Sequence, residues 1–215
     1  MTHCALYLIT PPAIELAAFI PDLEAALKAG QEAGIEIACL QLRLKNADDQ
    51  DVLAAASGLK PVLKEYGAAL IVNDRADLAA KSDADGVHLG QGDGSVSEAR
   101  RLLGKDADIG VTCHASRHLA MIAAEEGADY VAFGAFFPTA TKETTHRPTP
   151  EILEAWSQMT IVPCVAIGGI TPRNAAPLVA AGADYLAVSS SIWSDSRGPG
   201  EAVREFAPIL RGQAQ

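Results

Sequence analysis

The chain alternates between short apolar runs and longer stretches in which leucine and alanine recur at helical spacing among charged residues. The apolar runs fall at 5–10, 37–44, 69–73, 86–90, 108–113, 130–137, 164–169 and 185–192, and most are apolar on both faces, as in "YVAFGAF" and "CVAIGGI". Successive side chains of a strand point to opposite faces, so a run without alternation predicts a strand covered on both sides. Helices are expected at 22–33, 48–66, 75–81, 95–103, 116–126, 150–158, 171–181 and 200–211. Strand then helix, eight times in succession, predicts an α/β fold, a single (β/α)8 TIM barrel over residues 1–215 as one domain.

One run departs from this pattern. In "CLQLRLK", 39–45, Gln41, Arg43 and Lys45 share one face and Leu40, Leu42 and Leu44 the other. Two positive charges cannot enter a closed interior unpaired, because each would cost several kcal/mol to desolvate. That face therefore meets protein carboxylates, water or an anionic ligand.

A weak internal repeat marks the entry to alternate strands: "DADGVHLG" from Asp83, "GADYVAFG" from Gly127 and "GADYLAVS" from Gly182. Glycine past a helix end supplies a left-handed cap, and the aspartate can turn the backbone into the strand. This repeat is read as architecture.

Charge and composition narrow the partners. With 17 basic against 27 acidic residues the formal charge is -10, which repels nucleic acid and anionic membrane, so positive charge has to act locally. The first residues lack a basic leader and no apolar run is long enough to span a bilayer, so a cytoplasmic protein is expected. Cys4, Cys39, Cys113 and Cys164 lie far apart in or beside apolar runs and read as buried free thiols; the histidines show no metal-binding spacing.

Active sites of such barrels lie at the carboxyl ends of the strands. There the chain places Gln41, Arg43 and Lys45, then Asn73 and Asp74, then Gln91 and Asp93, then Thr112 and His114. Later strands add Thr139, Thr141 and Lys142, then Gly168 and Gly169, then Ser189, Ser190 and Ser191. "IGGITP" reads as an anion cradle with Thr171 as helix cap and Pro172 in the first turn, or as an ordinary glycine turn. Asp74 and Asp93 beside Arg43 and Lys45 can hold Mg²⁺ and phosphate oxygens together. Equally, Asp74 can cap a helix and Arg43 can pair with Asp93. The polar connection 138–150 reads as a binding loop or as a solvated loop.

In order along essentially the whole chain, "QLRLK", "IVNDRADLAA", "DGVHLGQGD", "IGVTCH", "YVAFGAFFPTATK" and "VAIGGI" resemble the thiamine phosphate synthase family. The resemblance implies a transferase that joins 4-amino-2-methyl-5-hydroxymethylpyrimidine diphosphate to thiazole phosphate, or its carboxylated form, and releases diphosphate. It implies that Gln41, Arg43, Lys45, Asn73, Thr112 and Lys142 hold the pyrimidine diphosphate, with Arg43, Lys45 and Lys142 acting in catalysis. Asp74 and Asp93 would bind Mg²⁺. Thr139, Ala140, Thr141, Gly169, Ser189 and Ser190 would surround the thiazole phosphate. Partners would be small phosphorylated substrates, with a homo-oligomer such as a dimer left open.

The sequence departs from the family pattern at Leu44, where an acidic residue is common, and at Ala135, where proline is usual. Thr112 replaces a serine and Ser189 an apolar residue. Two other readings stay open: a thiazole tautomerase of the same fold with His114 as its base, and a non-catalytic barrel that binds phosphorylated metabolites.

Overall fold

The computed structural model describes residues 4–139 and 147–212. Its first half runs β1 (Ala5–Ile9), α1 (Leu16–Ala33), β2 (Ile37–Leu42), α2 (Asp49–Glu65), β3 (Ala69–Asn73), α3 (Ala76–Lys81), β4 (Gly86–Leu89) and α4 (Val96–Leu103). The second half continues through β5 (Asp108–His114), α5 (Arg117–Glu125), β6 (Tyr130–Gly134), α6 (Glu151–Met159), β7 (Cys164–Ile167), α7 (Ala176–Ala180) and β8 (Tyr185–Val188). Three short helices follow, α8 (Ser190–Trp193), α9 (Pro199–Arg204) and α10 (Ala207–Leu210). The strands close in sequence order, β1 to β8, with every pairing parallel, so the expected (β/α)8 barrel is present.

The two apolar faces of the strands serve two separate cores. Outward side chains such as Leu6, Leu8, Leu40, Leu42 and Phe133 pack against the helices, where a fully buried leucine or phenylalanine contributes about 1.5–3 kcal/mol. Inward ones, including Tyr7, Ile9, Cys39, Ile71, Tyr130 and Val165, fill the barrel interior. Gln41 is inward and 3% exposed, while Leu44 packs on the outer core, so the alternation separates a polar inner face from an apolar outer one as far as Arg43, whereas Lys45 lies beyond β2 and is exposed. All four cysteines are buried and free; burial pushes the Cys4, Cys113 and Cys164 thiols up to about 12.

The repeat has a more specific role than a turn. Asp85, Asp129 and Asp184 each reach back to the preceding strand, where Oδ2 accepts the N–H of Leu70 (2.7 Å), Ile109 (2.7 Å) and Cys164 (2.8 Å). Each thereby satisfies a strand-end donor that no ladder partner reaches and fixes the register at the amino-terminal rim, away from the chemistry.

Several boundaries differ from expectation, each for a local reason. α1 begins at Leu16, not residue 22, because Glu15 caps it by accepting from Ala17 and Ala18, and Pro21 lies inside the helix. Thr171 does not cap α7: its N–H donates to Asn174 Oδ1, the pair closes a turn, and the helix begins at Ala176. The expected last helix is split in two, since Pro208 has no N–H with which to continue α9. β8 stops at Val188, so Ser189 and Ser190 stand at the start of α8 and not within a strand. Among the described residues no helix is long and apolar enough to cross a membrane.

Candidate active site

The carboxyl ends of all eight strands open on one cavity of about 760 Å³. Its wall brings together Gln41, Arg43, Asn73, Asp74, Asp93 and Thr112 on one side, with Thr139, Gly169, Ser189 and Ser190 on the other. His114 also lines it. Lys45 is exposed and is not part of this wall, although its N–H is anchored to Pro12 O at 2.7 Å. Ala140, Thr141 and Lys142 lie outside the described residues.

Backbone geometry aims the acidic pair. Asp74 has a left-handed φ of 63°, and its N–H donates to His88 O at 2.7 Å, so its side chain turns from the end of β3 toward β4. Asp93 arrives from the turn after β4, where Oδ2 accepts the Gly90 N–H at 3.0 Å. Both carboxyl groups stand beside Gly90. Burial, then the negative charge of Asp93, raises the Asp74 carboxyl to about 6, while Arg43 and Asn73 oppose the rise. Asp74 makes no helix cap, since α3 starts from Arg75 without a side-chain cap. Arg43 forms no salt bridge among the described residues, and it acts on Asp74 through space.

The opposite wall is built by glycines. Gly168 and Gly169 have φ of 103° and 62°, which bends the chain sharply at the end of β7. Gly168 O accepts from Phe137 N at 3.0 Å, so this bend is laced to the segment that leaves β6. The Gly134–Ala135 peptide at the start of that segment is cis. Ser189 Oγ donates to Thr10 O at 3.4 Å, and Thr10 Oγ1 accepts the Arg43 N–H at 2.9 Å. Thr10 therefore ties the serine side of the cavity to the arginine side.

The sequence reading missed Thr10, Tyr7, His88 and Tyr130. All are buried, and the last three join Gln41 to Thr112 by hydrogen bonds inside the barrel. Their signal was polar atoms within runs otherwise treated as apolar, which gains meaning only when the inward register of each strand is known.

The thiamine monophosphate synthase family profile matches residues 6–192. The chain belongs to this family. It is 58% identical over 212 residues to the thiamine-phosphate synthase of Rhodospirillum centenum, covering 99% of this chain and 100% of that one. It is 52% identical to the thiamine-phosphate synthase of Hyphomonas neptunium, with 97% and 95% covered. Among solved structures, thiamine phosphate pyrophosphorylase from Pyrococcus furiosus superposes with a TM-score of 0.83 at 29% identity, covering 100% of this chain and 98% of that one. Orotidine 5'-phosphate decarboxylase from Pyrococcus horikoshii, at 16% identity and a TM-score of 0.68, shares the fold alone.

Whether the acidic pair suits Mg²⁺ follows from its donors. Asp74 and Asp93 offer hard oxygen atoms, and among the described residues no group of three His, Cys, Asp or Glu gathers into a protein cage. Mg²⁺ is commonly bound this way, by one or two carboxylates with substrate phosphates and water completing its octahedron. The residues fit the ion.

Proposed function

We propose that this member of the family is a thiamine phosphate synthase, an enzyme that transfers the pyrimidinylmethyl group from its diphosphate to the ring nitrogen of thiazole phosphate. The observation that carries this reading is one cavity with two dissimilar anion-binding walls: Asp74, Asp93 and Arg43 on one side, the Gly168–Gly169 bend with Ser189 and Ser190 on the other. An enzyme joining two phosphorylated molecules needs that division. The alternatives gain no support, since a tautomerase or a metabolite binder has no need of the charged wall.

Arg43 holds the diphosphate, assisted by Lys45 at the rim and by Lys142, and Asn73 orients the Asp74 carboxylate beside it. Mg²⁺, held by Asp74 and Asp93, would neutralise charge on the leaving diphosphate. The C–O bond breaks with its electron pair going to diphosphate, and the pyrimidine ring delocalises the methylene cation. The thiazole nitrogen lone pair then forms the new C–N bond. Because the cationic side chains are in place before charge develops, they stabilise it without reorganisation. The other wall holds the thiazole phosphate through Gly169, Ser189, Ser190 and Thr139, with Ala140 and Thr141 assigned to the same phosphate, which sets the nitrogen against the carbon it attacks. No side-chain nucleophile is required. The reading includes residues 1–215 as one domain, acting in the cytoplasm on small phosphorylated substrates.

The test is to combine purified protein with both substrates and Mg²⁺ and to follow thiamine phosphate by chromatography, with a chelator control. Metal-dependent product is the expected result. Folded protein that gives none would refute the assignment.

A further inference from the structure

Side chains from five strands form one continuous hydrogen-bonded chain through the barrel interior. Gln41 Nε2 donates to Tyr7 Oη at 2.9 Å; Tyr7 Oη and Tyr130 Oη are 2.9 Å apart; Tyr130 Oη and His88 Nδ1 are 3.2 Å apart; His88 Nε2 and Thr112 Oγ1 are 2.8 Å apart. Both ends, Gln41 and Thr112, line the cavity, whereas Tyr7 and Tyr130 do not and are 3% and 8% exposed. The proposed reaction uses neither tyrosine as acid, base or nucleophile.

Elementary donor counting gives the chain a direction. An amide nitrogen only donates, so the Tyr7 oxygen receives the Gln41 proton and has its own to place. Tyr7 has no hydroxyl partner among the described residues besides Gln41 and Tyr130, so it donates to Tyr130. Were Tyr130 the donor, the Tyr7 proton would be buried without an acceptor, which a native interior avoids. Tyr130 then donates to His88 Nδ1. A ring nitrogen that accepts carries no proton, so His88 is neutral with its proton on Nε2, which donates to Thr112 Oγ1. The Thr112 proton is left for a ligand. At the other end, Gln41 Oε1 has no protein donor among the described residues and is not among their sealed unpaired atoms, so it opens on the cavity as an acceptor.

We infer that Tyr7, Tyr130 and His88 are positioning residues that fix the polarity of both ligand-facing ends: Gln41 presents a carbonyl oxygen and Thr112 a hydroxyl proton. The group met by Gln41 must then be a donor, such as the exocyclic amine of an aminopyrimidine, and the group met by Thr112 an acceptor, such as a phosphate oxygen or ring nitrogen. A 4-oxo pyrimidine would set lone pairs against lone pairs at Gln41 and be rejected. The ligand's identity rests on the synthase reading; the order of protons does not.

The two are tested separately. Protein labelled with ¹⁵N-histidine reports the tautomer of each ring by NMR, with His88 identified by the signal absent from His88→Gln. In the ligand-free protein His88 is expected with Nε2 protonated and Nδ1 bare. Gln41→Glu replaces a donor by an acceptor of nearly the same shape, so Tyr7 must donate to it, Tyr130 to Tyr7, His88 Nδ1 to Tyr130 and Thr112 to His88 Nε2. One substitution should thus move the His88 proton from Nε2 to Nδ1 across the barrel. The double variant Gln41→Glu with Tyr7→Phe, which cuts the chain, should not show the full transfer. A wild-type Nδ1 tautomer, a wild-type imidazolium at neutral pH, or no transfer in Gln41→Glu overturns the inference.

Calorimetry then compares 4-amino and 4-oxo pyrimidinylmethyl diphosphate. Tyr7→Phe should lose at least about tenfold of the wild-type preference for the amine, with inorganic diphosphate binding unchanged within about twofold. Equal weakening of both pyrimidines would overturn the specificity role. The expected tautomers in a protein that makes no thiamine phosphate would instead refute the synthase reading and leave the proton order standing.

Discussion

Asp74 and Asp93 bring their carboxyl groups together beside Gly90 at the mouth of the barrel, and burial with the charge of Asp93 raises the Asp74 carboxyl. A proton or a metal ion relieves the repulsion between them. The charge geometry that prepares the site for a cation thus weakens the metal-free fold.

The consequence for stability has a definite sign. Burial and Asp93 raise the Asp74 carboxyl to about 6 in the folded chain, above its ordinary value of 3.8. Between those values the native state binds more protons than the unfolded one, so stability falls as pH rises through this window and stays lower above it. Asp74 is only half-buried, so solvent screening leaves about 1 kcal/mol of the effect. Asn tolerates the left-handed backbone at this position. Asp74→Asn in chelator should therefore raise the melting temperature by about 2–4 °C at pH 7 and by almost nothing at pH 4. Equal shifts at both pH values would show that the carboxyl pair is not the source.

Gly90 tests how closely the acidic pair is positioned. A Cβ there would lie 2.5 Å from Asp93 Oδ2 and 4.0 Å from Asp74 Oδ1. The atom it meets ends a side chain, which can swing aside at small cost to the fold. Gly90→Ala should therefore keep its melting temperature within about 2 °C and raise the Mg²⁺ concentration for half-maximal turnover by about 10–100-fold, as loss of ligand support commonly does. An unchanged Mg²⁺ titration would remove Asp93 from the metal site.

The limits of the sequence reading have physical causes. The barrel was legible because strands covered on both faces carry a continuous apolar signal, and Gln41 and Arg43 stood out as polar breaks in it. Asp74 and Asp93 could be placed at strand ends, but not joined, because their contact depends on the left-handed turn at Asp74 and the loop after β4. Tyr7, His88 and Tyr130 remained hidden because an inward tyrosine and an outward leucine occupy the same apolar run. The start of α1 was missed as well: Glu15 caps the helix from outside the apolar pattern, and Pro21 lies inside it.

Asp184 separates architecture from chemistry. Its Oδ2 accepts the Cys164 N–H at 2.8 Å at the amino-terminal rim, the end of the barrel opposite the cavity. Asp184→Ala leaves that donor short of a partner and should destabilise the protein by about 1–2 kcal/mol. Both Michaelis constants should stay within about twofold, since a rim fastening far from the substrates acts on the fold alone. Urea unfolding and initial rates on the same preparation decide it; a large loss of kcat in a stable variant would give this rim a part in the reaction.

Gly169 supplies the converse case, where fold and substrate binding cannot be separated. Its φ of 62° is strained for any side chain, and a Cβ would lie 2.3 Å from Pro138 O and 3.0 Å from Phe137 Cβ. That carbonyl is backbone, so the whole segment leaving β6 must move, and it carries Thr139 in the cavity wall. Gly169→Ala should lose about 1–3 kcal/mol of stability. It should also raise the Michaelis constant for thiazole phosphate by tenfold or more, about 1.4 kcal/mol in binding. The constant for the pyrimidine diphosphate, held chiefly by Arg43 and the acidic pair at the ends of β2 to β4, should rise much less, since of the residues assigned to it only Lys142 follows the displaced segment in sequence. If both constants rose equally, the two walls would not be independent, and the division of the cavity between the two phosphorylated substrates would fail.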